Sequence, residues 1–142
     1  MRVNLANNEY LNVTATLLES GVPFPNELKE YAGVHNKFRC TISNPVNGRK
    51  MQVTWYGSQY DYMKSKSKLD EGMARSVLSS VALDASCYSS TGNFKDFCDE
   101  FGYSDDSIRA LKIYKGCKSE YERWSRVSEG LSEESMEEIY NY

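Results

Sequence analysis

The stretch TGNFKDFCDEFGYSDDSIRALKIYKGC, residues 91–117, gathers three Phe, five carboxylates and two Cys. Its sharpest chemical reading is a calcium loop. An EF-hand needs oxygen ligands at alternate positions, a central Gly and a Glu at position 12. Counted from Asp99, position 3 is Phe101, position 6 is Ser104 and position 12 is Ala110. The pattern fails, and the segment reads instead as two helices and the turn between them. Zinc fares no better: Cys40, Cys87, Cys98 and Cys117 are far apart in sequence, none forms a C-x-x-C pair, and His35 is the sole histidine. The expectation is no metal, no cofactor and four small thiols.

Catalytic groups are equally sparse. There is no G-x-S-x-G elbow and no phosphate-cradling Gly-Lys loop. Any imidazole-assisted mechanism must use His35, beside Asn36 and Lys37. Sequence-adjacent acids such as Asp99/Glu100 and Asp105/Asp106 point to different sides of a helix and make no acid–base pair. No catalytic residue is assigned, and the expectation is a protein that is not an enzyme.

Two constellations suit binding. Lys37, Arg39, Arg49, Lys50, Lys64, Lys66 and Lys68 lie among Trp55, Tyr56, Tyr60 and Tyr62. Cations neutralise phosphates and aromatic faces stack bases, so Arg39, Arg49, Lys50, Tyr60, Tyr62, Lys64, Lys66 and Lys68 form a candidate nucleic-acid surface. Trp55 shares its parity with Met51 and Val53 and is assigned to the core. The second constellation is acidic: Asp99, Glu100, Asp105, Asp106, Glu133 and Glu134 could meet a basic surface on another protein. Charge along the chain follows this division. Residues 1–83 carry ten Lys and Arg against seven Asp and Glu, a net of +3; residues 84–142 carry seven against thirteen, a net of −6.

The elements that must hold these groups follow from periodicity. YLNVTATLLE, 10–19, alternates Leu11, Val13, Ala15 and Leu17 and reads as a strand, with a short helix as the competing reading. SGVPFP at 20–25 breaks it, and NELKEYAG at 26–33 supports one or two helical turns. Phe38, Cys40 and Ile42 alternate with polar residues, as do Met51, Val53 and Trp55. Asn47-Gly48 stands between them, giving an antiparallel hairpin of 37–44 and 50–57. Residues 57–72 have no periodicity and read as an exposed loop. Asp70 caps a helix whose stripe is Met73, Val77, Leu78 and Val81, followed by a loop at 84–92.

Phe94, Phe97, Cys98 and Phe101 form one helical face, capped by Thr91 or Asn93 and ended by Gly102. Ser104 is expected to cap the next helix, with Asp105 and Asp106 in its first turn. Its seam is Ala110, Tyr114, Cys117, Tyr121 and Trp124, and Gly116 in its middle either marks a close contact or nothing. Ser132 caps a last helix, with Leu131 stapled to Met136, and Met136, Ile139 and Tyr140 on its apolar side. The fold class is α+β: a small antiparallel sheet (N-terminal strand plus hairpin) packed against C-terminal helices. One domain spans 1–142, β-rich over 1–57, an exposed loop over 58–70 and helical over 71–142.

No apolar run approaches the roughly 20 residues of a membrane span. MRVNLANNEY also lacks a signal-peptide apolar core, so the expectation is a soluble cytoplasmic protein with no membrane partner.

The run Phe94, Phe97, Cys98, Glu100, Phe101, Gly102, Tyr103, leading through Asp106 and Ser107 to Tyr114, resembles a motif of small phage and prophage proteins that are mostly uncharacterised. The motif covers roughly a sixth of the chain, and the hairpin and the helix around Ser76 to Leu83 are similar in layout. The resemblance implies a bacterial host cytoplasm and no transferable catalytic residue. It implies a non-catalytic inhibitor of a host defence system, of the anti-CRISPR type, that binds a host protein or ribonucleoprotein complex. The alternative is a phage nucleic-acid-binding accessory protein using the basic hairpin and loop. Homo-oligomerisation stays open.

Overall fold

Alternation of period two places one side of each strand on the core and leaves the other side to solvent. The structure, a computed structural model, describes residues 1–23, 34–58 and 69–142. Four strands, β1 (Arg2–Asn4), β2 (Tyr10–Pro23), β3 (Val34–Asn44) and β4 (Arg49–Ser58), form one antiparallel sheet in the order β1-β2-β3-β4. Leu11, Val13, Phe38, Cys40, Ile42, Met51 and Val53 are buried on its inner face, and Trp55 packs partly buried against them. Four helices follow: α1 (Glu71–Ser89), α2 (Phe94–Phe101), α3 (Ile108–Val127) and α4 (Glu133–Tyr140). The expected α+β architecture is what the chain adopts.

The helix α1 lays Met73, Ala74, Val77, Leu78, Val81, Ala82 and Ala85 on the sheet and on α3. Asp70 caps it, accepting from the Met73 amide at 2.8 Å. From α3, Trp124 and Val127 enter the same core, and α4 adds Ile139. The hairpin turn is fastened to the end of α3. Asn44 donates to the Val127 carbonyl at 2.9 Å, and Asn47 donates to the carbonyls of Arg126, Val127 and Glu129. The Arg126 and Val127 carbonyls are among those a helix end leaves without partners. Gly48, at φ 72, supplies the left-handed residue that closes the turn.

Glu9 anchors α4 in a similar way. Its carboxylate accepts from the Ser132 amide and hydroxyl and from the Ser135 hydroxyl. The Ser135 hydroxyl, then the two Ser132 donors, hold the Glu9 carboxyl below its ordinary pKa. Ser132 is itself the helix cap, and Leu131 and Met136 each pack, partly buried, against the core.

Several expectations are corrected. The strand β2 does not break at Ser20; it runs to Pro23, with register shifts around Glu19 that absorb Gly21 at φ 69. Residues 84–89 are helical, not loop. Ala82 and Ala85 are buried, and the Ser86 and Ser89 hydroxyls fold back onto carbonyls one turn earlier, so small polar residues stay in the helix. Ser107, not Ser104, caps α3 by accepting from the Ala110 amide. Asp105 and Asp106 therefore sit in the turn before α3, where the Ser104 hydroxyl donates to Asp106. Gly116 is exposed with open space around it, so no close helix contact accounts for it. The proposed helix at 26–33 lies outside the described residues, as does residue span 59–68 of the proposed loop.

The segment from Phe94 to Tyr114 builds a satellite aromatic cluster. Phe97 is buried, 5.3 Å from Tyr114, 4.9 Å from Phe101 and stacked on Tyr103 at 6.0 Å between centroids. Phe94 meets Tyr114, and Tyr88 of α1 touches both Tyr114 and Tyr121. Of the predicted helical face, Phe97 and Cys98 are buried and Phe94 half-buried, while Phe101 stays 42% exposed. Asn93 is the cap of α2 and Gly102, at φ 76, its stop.

Candidate functional site

The helices cover one face of the sheet. Among the described residues the other face is open, and the register sets what it carries. One row runs Arg2, Asn12, Ser43, Lys50 across all four strands. The next holds Thr14, Thr41 and Gln52, and the next Thr16, Arg39 and Thr54. The last pairs Lys37 with Tyr56, with Glu19 across from Lys37 on β2. Arg2, Thr14, Thr16, Arg39, Lys50, Gln52 and Thr54 are exposed; Lys37 and Tyr56 are half-buried. Four cations thus share a floor of hydroxyls and amides with a single described carboxylate, Glu19. The Arg2 guanidinium lies 3.7 Å over the Tyr10 ring.

Of the candidate nucleic-acid residues, the structure brings Arg39 and Lys50 onto this face and adds Arg2 and Lys37. Arg49 pairs with buried Asn44, in the row of opposite parity at the hairpin end, so it is not part of the face. Tyr60, Tyr62, Lys64, Lys66 and Lys68 lie outside the described residues.

The six acidic candidates are all exposed but form two groups. Asp99 and Glu100 end α2, and Asp105 and Asp106 lie in the following turn. The Ser104 hydroxyl keeps the Asp106 carboxyl below its ordinary pKa. Glu133 and Glu134 open α4, where their charge suits a helix N-terminus. The twenty residues of α3, about 30 Å of helix, separate the two groups, so they cannot act as one patch. Beside the first group, Phe101, Ile108 and Leu111 expose apolar surface, Ile108 at 76%.

Sequence reasoning missed a further feature. Where β4 passes α1 and α3 there is a cleft of about 270 Å³, lined by Val53, Thr54, Trp55, Tyr56, Ser80, Val81, Asp84 and Glu120. Burial, then a hydrogen bond to Asp84 and that residue's charge, push the Glu120 carboxyl up to about 8, against the opposing pull of Arg123. The Arg123 guanidinium donates to the Gln52 carbonyl on β4, the last strand of the sheet. A signal existed in the sequence: Asp84 continues the Val77, Val81 stripe at i+3, and Glu120 falls between Cys117 and Trp124 on the α3 seam.

The pair has a measurable consequence. Above pH 4.5 an unfolded Glu120 releases its proton, while the folded one keeps it until about pH 8, so stability falls as pH rises through that window. Glu120→Gln removes this loss. Urea unfolding at alkaline pH is expected to show the variant more stable by about 1–2 kcal/mol, after discounting for solvent at a half-exposed site. Near pH 4 the two proteins should differ little. An equal pH slope in both proteins would contradict the pairing.

The thiols are placed as structure. Cys40 and Cys117 are pushed up to about 12, first of all by burial, which leaves them weak nucleophiles at neutral pH. Among the described residues no group of three or more His, Cys, Asp or Glu side chains could hold a metal ion. Nor is any described helix long and apolar enough to cross a membrane. His35 is the second residue of β3, paired with Ser58.

No protein-family model matches the chain, and neither a curated protein nor a solved structure matches it.

Proposed function

We propose that the chain is a non-catalytic binding protein whose open sheet face takes nucleic acid. One observation carries this reading: Arg2, Lys37, Arg39 and Lys50 are gathered by the strand register onto one uncovered polar face with a single described carboxylate. The chain as a whole carries a net charge of −3, so a polyanion is repelled by the rest of the surface and is drawn only to this face. The hydroxyls and amides between the cations can donate to phosphate and sugar oxygens, and Tyr56 offers a ring for stacking. The test is fluorescence anisotropy with a labelled oligonucleotide of about twelve nucleotides across roughly 50–200 mM salt. Binding that weakens steeply with salt and is lost in Lys37→Ala/Arg39→Ala/Lys50→Ala supports the reading. No binding at the lowest salt overturns it.

A second reading has its own support. Phe101, Ile108 and Leu111 expose apolar surface beside Asp99, Glu100, Asp105 and Asp106. Apolar anchors rimmed by charge suit a protein partner with a basic rim. This is the surface an anti-defence inhibitor encoded by a phage would use against a host nuclease complex. Such an inhibitor should block target cleavage by a CRISPR–Cas complex, and Ile108→Asp should abolish the block without lowering Tm. Inhibition that survives Ile108→Asp would sink the use of this corner.

A further inference from the structure

The cleft and the open face meet along β4. Thr54 and Tyr56 line the cleft and also stand in the outward rows, opposite Arg39 and Lys37. A strand held on the face by its phosphates therefore passes the mouth of the cleft.

The chemistry of the cleft restricts what it can take. The Asp84 carboxylate excludes a phosphate, because like charges at short range cost several kcal/mol. A metal ion lacks its third ligand. The walls, Val53, Val81 and Trp55, suit an apolar planar body, and a cleft of about 270 Å³ admits one small ring system rather than a chain. The polar part of the lining supplies acceptors, the Asp84 carboxylate and the Glu120 carboxyl hydrogen-bonded to it, together with the Ser80 hydroxyl. The fitting ligand has flat apolar faces and a donor-rich edge. Among nucleobases, guanine alone places two kinds of donor, N1–H and N2–H₂, side by side on its pairing edge, matching the two oxygens of a carboxylate. A carboxylate has about four acceptor sites, so Asp84 can serve Glu120 and a base together.

We propose that this cleft binds an unstacked guanine of a single strand lying on the open face, with Asp84 taking the pairing edge and Trp55 walling the ring. The proposal rests on the nucleic-acid reading of that face. In a duplex the pairing edge is occupied, so the cleft selects single strands.

The experiment uses the full chain and labelled thymidine oligonucleotides of about twelve nucleotides, either all thymidine or with one central dG, dA or dC. The dG oligonucleotide is expected to bind about tenfold tighter than the others, the discrimination of one bidentate contact. Asp84→Asn should erase the dG preference while binding to the all-thymidine strand persists. Ser80→Phe, which fills the cleft and leaves both carboxyls in place, should do the same, and a retained thermal transition shows that each variant is folded. Equal affinity for all four strands overturns the cleft proposal and leaves the face reading standing. A dG preference that survives both variants overturns it too. If no strand binds at low salt, the face reading fails, and the cleft proposal with it.

Discussion

Replacing Phe38 by alanine is expected to lower the free energy of unfolding by about 3–5 kcal/mol, the range for a large aromatic removed from a packed core. Phe38 is 1% exposed, on the third of four strands, with its ring 5.8 Å from that of Trp55. Its strand partners are Leu17 on one side and Trp55 on the other, so the cavity opens between them on the sheet's inner face. Against the roughly 5–15 kcal/mol that holds an ordinary domain together, the loss is large. Urea denaturation should show a lower midpoint with an unchanged slope, and Tm should fall by roughly 10–15 °C. Thr41→Ala supplies the contrast. It lies on the same strand with opposite parity, in the open row with Thr14 and Gln52, and should change stability by no more than about 0.5 kcal/mol. Similar losses from both variants would mean that the sheet does not divide its residues between a covered and an open face.

The second large effect concerns binding. Lys37→Ala/Arg39→Ala/Lys50→Ala removes three of the four cations on the open face and should weaken oligonucleotide binding by about a hundredfold or more near 100 mM salt. The salt dependence carries the stronger argument. Each phosphate contact to a single strand contributes about 0.7 to the slope of log K against log salt, so losing three should flatten the slope by about 2. A loss of affinity through misfolding leaves the slope of the remaining native fraction unchanged. Thermal melting is expected to be nearly unaffected, because Arg39 and Lys50 are exposed and surface substitutions away from the core cost little. Retained affinity with an unchanged slope would move the interaction off this face.

Much of this architecture is legible along the chain because it depends on neighbours a few residues apart. Alternation assigned Phe38, Cys40, Ile42, Met51 and Val53 to one face, and Asn47-Gly48 announced the turn between them. Asp70 and Ser132 were readable as caps, and Gly102 as a stop, because a cap is a contact over three residues and a left-handed stop is set by one. The same short range explains the errors. Ser104 and Ser107 are both competent caps, and their local sequences do not say which one begins the helix. Residues 84–89 are rich in polar and small types that favour loops, but Ala85 packs into the core, and burial overrides propensity.

Residue types and their spacing are enough to give the class of fold, the inner face of the sheet, the stripes of the helices and most of their ends. Which side chains meet depends on how the elements pack together. Lys37, Arg39 and Lys50 join Arg2 on one face because the sheet order brings β1 beside β2, while the acids of α2 and α4 are held apart by the length of α3. Asp84 and Glu120 approach each other because α1 packs against α3. Periodicity and capping are settled within a turn or two of chain. The crossing of two helices over a sheet depends on how the whole core fills, and no short window of sequence contains that.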